Sequence, residues 1–159
     1  MSEPKISATA ECLWDAHLLT EVSVLLQDSA CLHHALAELI TDAGKKAAAA
    51  QSSALFSALG ALLHAHSAKL GIFPSIRDVE CAMPAHRERA IDALVHADHT
   101  NALHHIALCD AVAVDRIEQI CGMIGITPET QNLLLMVHRV LRQSSLGPSV
   151  ANDSVQSSS

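Results

Sequence analysis

The chain has 159 residues, half of them apolar, with a formal charge of −7 when histidine is neutral; that length suits one domain of ordinary size able to bury a core without staples. The apolar half is mostly Ala, Leu, Val and Ile, while the aromatic residues reduce to Trp14, Phe56 and Phe73, a composition that favours helices and argues against a β-sandwich. The acidic balance and the lack of any run of Lys and Arg leave no footprint for nucleic acid or for an anionic membrane surface, and no apolar stretch approaches the length of a bilayer span.

In chain order, residues 1–8 read as a loose leader with no basic region followed by an apolar one, so no secretion signal is expected. Thr9 caps a first helix running to residue 40, with apolar residues recurring at 18, 22, 25, 32, 36 and 39. Thr41-Asp42-Ala43-Gly44 stops it, the glycine serving as a left-handed cap. A second helix covers residues 45–70 on a stripe of Leu55, Leu59, Leu62, His66 and Leu70, supported by Phe56 and Leu63 and closed by Gly71 and Pro74. One or two helical turns are expected over 76–82, and Pro84 at a first helical position opens a helix over 85–97. After a break at 98–101, Thr100 caps a helix to residue 124 with Leu103, Ile106, Val114, Ile117 and Cys121 on one face. Gly125-Ile126-Thr127-Pro128-Glu129 is the sharpest local signal: a glycine cap, an N-cap threonine, a proline in the first turn and an acid on the positive helix end. The last helix runs to residue 143 on Leu133, Leu134, Val137, Val140 and Leu141, and residues 144–159, rich in serine, read as a disordered tail.

Four long helices joined by short loops bury their stripes best as an antiparallel four-helix bundle, one domain over residues 9–143 with a crossover over 71–99. The five cysteines, an odd count with no Cys-x-x-Cys, point to reduced thiols in a cytoplasmic protein. Eleven histidines outnumber Lys and Arg together, which fits metal handling, pH sensing or a polar surface in which His replaces Lys.

Polar residues interrupt the apolar faces: Glu21 and Asp28 in the first helix, His66 in the second, Asp110 between Ile106 and Val114, and His138 between Leu134 and Leu141. Carboxylates and imidazoles near mid-helix are what an inward-facing bundle metal site uses. Asp28, His66, Asp110 and His138 are therefore the candidate ligands for iron, manganese or zinc, with Glu21 and Glu118 secondary; each also suits the edge of its stripe, half exposed.

Short patches carry a resemblance: Leu25-Leu26-Gln27-Asp28, Ala54-Leu55-Phe56, His86-Arg87, Cys109-Asp110 and His138-Arg139-Val140-Leu141-Arg142. With these, the chain resembles the ferritin-like four-helix-bundle proteins of bacteria, the small stress-associated families related to rubrerythrin. The resemblance implies a ferritin-like fold, iron or manganese binding, a dimer and a role under stress. The chain lacks the Glu-x-x-His pairs of di-iron members, has Cys109 where related chains tend to carry an acid, and has His64 and His66 in place of a glutamate, which points to a non-catalytic relative.

Two other classes fit parts of the pattern. His66-Ser67-Ala68-Lys69 has the His-to-Lys spacing of a histidine phosphotransfer domain, although Leu70 intervenes before Gly71. A dimeric protein-interaction module with surface histidines fits the doublets His33-His34 and His104-His105, with His34 and Glu38, and His105 and Cys109, four residues apart.

Overall fold

A computed structural model of the protein describes residues 3–70 and 84–157. They form five helices, α1 (Glu3–Leu39), α2 (Ala43–Lys69), α3 (Pro84–Val95), α4 (His99–Cys121) and α5 (Pro128–Ser157), and no strand occurs among the described residues. The expected turns over 76–82 and the Gly71 closure lie outside the described residues.

The helix ends correct several expectations. α1 begins at Glu3, ahead of the expected Thr9 cap; Pro4 is compatible with a first turn, where its missing N–H costs nothing. Between α1 and α2 the working cap is Asp42, whose carboxylate accepts from the Lys45 N–H at 2.8 Å, and Gly44 falls inside the first turn of α2. Asp98, rather than Thr100, caps α4, accepting from the Asn101 N–H at 3.2 Å. Ala97 before it takes φ 54°, a left-handed turn residue without glycine's freedom. α4 stops at Cys121, and Gly125 supplies the positive φ of 101° in the turn that follows. α5 begins at Pro128 as expected but continues to Ser157, past the Ser144 boundary, an extension for which the sequence has no local signal.

α1 is the hub: it packs most extensively on α2 and also on α4 and α3, while α4 packs on α3 and α5. The α1–α2 seam is built from small residues and hydroxyls. Ser67 donates to the Ala16 carbonyl at 3.2 Å, Ser23 to Gly60 at 2.9 Å, Gln27 to Ser57 at 3.2 Å and Ser53 to Ala30 at 2.9 Å. Numbers rise on one helix as they fall on the other, so the two run antiparallel. The same reasoning makes α1 and α4 antiparallel, through Glu21–Arg116 and His33–Asp110, and α4 and α5 antiparallel, through Cys121–Gln131 and Glu118–His138.

The apolar core is one cluster centred on Leu18, Val22, Leu25, Leu63, Ile106, Ile117 and Leu134. The α5 face is the expected one, with Leu134, Val137 and Leu141 buried. In α2 the buried stripe is Ala49, Phe56, Leu59, Gly60, Leu63 and Ser67: Leu59, Phe56 and Leu63 are buried as expected, the small Gly60 and Ser67 join them against α1, Leu62 is exposed and His66 sits at the edge. In α4 Cys109 is fully buried and Leu103 exposed. Cys31, Cys109 and Cys121 are free thiols.

Candidate binding cleft

The polar residues that interrupt the helix faces meet neighbouring helices pairwise. Glu21 receives both Nε and Nη2 of Arg116, at 2.8 and 3.0 Å. Asp28 lies 3.8 Å from the Arg87 guanidinium of α3. Asp110 accepts from Nε2 of His33 at 2.8 Å. His138 donates to Glu118 at 2.8 Å, and Arg142 donates to the same carboxylate oxygen at 2.6 Å; these two donors hold the Glu118 carboxyl below the usual carboxylate range. His66 is half-buried, next to the buried Ser67.

Along α1 these contacts fall at different heights. His66 lies beside Ser67, which meets Ala16 and Thr20; Glu118 with its partner His138 is close in sequence to Arg116, which meets Glu21. Asp28 is farther on, and Asp110 meets His33. At 1.5 Å of rise per residue that spread is about 20 Å. Asp28, His66, Asp110 and His138 therefore do not converge, and among the described residues no three His, Cys, Asp or Glu side chains gather as a metal site requires. The physical reason is that each carboxylate that sequence placed inside has met a cation or donor from a neighbouring helix. The surface pair His34 and Glu38 is separated by 4.0 Å and well exposed; in the other spaced pair, Cys109 is buried while His105 is half-buried.

One of the pairwise contacts borders open space. A cleft of about 360 Å³ lies between α2, α4 and α5. Phe56, Ala107, Ala111, Val114 and Leu141 supply apolar wall, and Ser52, Asp110, Asp115, Arg142 and Ser144 supply polar groups. Helix periodicity makes the α4 side of it: 107, 110, 111 and 114 are one turn apart and share a face. Beneath, the His33 ring stacks on Phe56 with centroids 5.4 Å apart and planes inclined by 25°. An ionised carboxylate only accepts, so Nε2 of His33 carries the proton in its bond to Asp110. The His33 side chain is 12% exposed and that of Asp110 25%. Asp110 Oδ1 is closed off and accepts no hydrogen bond among the described residues.

The sequence reading found Asp110 but not His33 as its partner, nor Phe56 and Leu141 as walls of a shared space. The doublet His33-His34 implies only that at least one ring lies away from the core stripe, and within one helix nothing marks His33 as the ring that meets α4.

The chain matches no protein-family model, and no curated protein or solved structure matches it significantly.

Proposed function

We propose that this protein is a non-catalytic binding protein: a ferritin-like four-helix scaffold, made of the α1–α2 and α4–α5 hairpins with α3 in the crossover, that takes a small organic molecule in the cleft beside Asp110. The observation that carries the reading is the cleft itself. It has the volume of a small-ligand site, with apolar walls from Phe56, Val114 and Leu141 and polar groups contributed by all three helices, the kind of lining by which proteins bury and orient small molecules. The candidate metal-ligand positions fit the scaffold half of the reading, because Glu21, Asp110 and Glu118 are each neutralised or hydrogen-bonded by side chains of neighbouring helices. A bundle whose acids are paired in this way has no need of a metal ion to hold them.

The test uses hexan-1-ol, a neutral probe that fits the volume. Amide and methyl resonances of Phe56, Val114 and Leu141 shift on titration, and Ala111→Trp, which fills the space, abolishes the shifts while the protein stays folded. Shifts confined to other surfaces, or unaffected by Ala111→Trp, refute the reading. Equilibrium dialysis with iron, manganese and zinc tests the scaffold half: stoichiometric binding lost in Asp110→Ala would restore a metal centre.

A further inference from the structure

The cleft is not electrically even. Among the carboxylates that tie helices together, Asp15 accepts from the Thr127 N–H and from the hydroxyls of Thr127 and Thr130, Glu21 accepts twice from Arg116, and Glu118 accepts from His138 and Arg142. Asp110 accepts once, from His33, although a carboxylate offers about four lone-pair sites. This least-served acid is the one that lines the cleft. Its Oδ1 is shut away, so the exposed part of the side chain lies elsewhere on it, and Oδ2 keeps a second lone pair beside its single bond to His33. Asp115, one helical turn beyond Ala111, adds a second negative charge to the lining, and no ion pair is formed by it among the described residues. The one cation in the lining, Arg142, donates to Glu118 at 2.6 Å. Apolar wall plus a carboxylate that has made one hydrogen bond is the complement of an aliphatic chain ending in an ammonium group, one N–H of which can meet the remaining lone pair of Oδ2.

We infer that the ligand of the cleft is an amphipathic primary amine, its hydrocarbon body against Phe56, Val114 and Leu141 and its ammonium group on Asp110, with Asp115 adding attraction from the rim. The inference rests on the cleft reading above and names the class of molecule that reading leaves open.

Three probes of one chain length separate the two: n-hexylammonium, hexan-1-ol and n-hexanoate, each titrated into the full chain at neutral pH and followed by resonance shifts at Phe56 and Leu141. The expected result is hexylammonium binding about tenfold or more tighter than hexan-1-ol, as one charge-assisted hydrogen bond supplies, with hexanoate weakest. Asp110→Asn, which keeps a polar group of the same shape, brings amine and alcohol to within about twofold of each other. Because Asp110 also holds His33, Asp115→Asn, on an exposed residue, serves as the second variant and weakens the amine alone by about two- to threefold. Equal binding of amine and alcohol, or tighter binding of hexanoate, overturns the amine assignment and leaves the cleft reading standing. A preference for amine that survives both substitutions also overturns it, while no binding of any probe overturns both.

Discussion

Arg116 of α4 straddles Glu21 of α1, its Nε and Nη2 each bonded to a different carboxylate oxygen at 2.8 and 3.0 Å. The Glu21 side chain is only 11% exposed, so the bidentate contact neutralises a charge that water barely reaches. Removing the cation alone leaves that charge stranded. Arg116→Met should cost about 2–3 kcal/mol of unfolding free energy in urea, somewhat below the range for fully buried pairs. The double variant Glu21→Leu/Arg116→Met should recover most of the loss; a double variant no more stable than the single one would refute the account.

Asp15, nearly fully buried, fastens the start of α5 to α1. It accepts from the Thr130 hydroxyl at 2.8 Å and from both donors of Thr127, with its charge facing the positive end of the helix. Asp15→Ala should cost about 2–3 kcal/mol, since three donors lose their acceptor. Asp15→Asn should cost less, as it keeps one acceptor oxygen. Hydrogen exchange of the first-turn amides of α5 checks the location of the damage: protection there should drop first.

Gly60 sits against α1, its carbonyl accepting from the Ser23 hydroxyl. A Cβ added at this position would stand 2.7 Å from Gln27 Nε2 and 3.2 Å from its Cγ and Cδ. In Gly60→Ala the Gln27 side chain swings aside, giving up its bond to Ser57, while the helix gains about 1 kcal/mol of propensity. The net change should fall within about 1 kcal/mol of zero. Gly60→Leu must part the helices and should destabilise by about 1–3 kcal/mol; equal midpoints for the two variants in denaturant would be the contrary result.

Acid should weaken the protein in two separate ranges. His105 titrates below the ordinary histidine value of 6.5 because of its burial first, then the positive fields of His104, Arg89 and His86. A base with a depressed pKa binds fewer protons folded than unfolded, so stability falls as pH drops below about 6.5 and stops falling once the folded form is protonated too. Glu118 acts in the same direction at lower pH: its lowered pKa contributes stability that is present above 4.5 and lost as pH falls through the folded value. Melting temperatures followed from neutral pH downward should show a first decline in the wild type that His105→Gln removes, and a later one that Glu118→Gln removes. A His105→Gln curve parallel to that of the wild type would count against the first assignment.

What could be read in advance depended on whether a signal was local to one helix. The start of α5 at Thr127-Pro128-Glu129 and the buried Leu134, Val137 and Leu141 follow from capping and periodicity, which belong to a single segment. In α2 the buried Phe56, Leu59 and Leu63 are legible by periodicity, whereas Gly60 and Ser67, which also face α1, carry no hydrophobic signal and the exposed Leu62 carries a misleading one. The candidate ligands were legible as polar residues on apolar faces, but periodicity within a helix says nothing of its height against another. Asp110 thus met His33, and His138 met Glu118, at separate levels. The cleft was still less legible, since it needs three helices placed together before Phe56 and Leu141 can be seen to face one space.

The row of serine and glutamine donors between α1 and α2 has a mechanical effect. Small side chains alone would leave a smooth seam on which two rods slip past each other. Here a slide of one turn, about 5.4 Å, would strip Ser23, Gln27, Ser53 and Ser67 of their carbonyl partners at once. The first hairpin is accordingly held in register along its length, and a shift of α1 against α2 gives up all four bonds together.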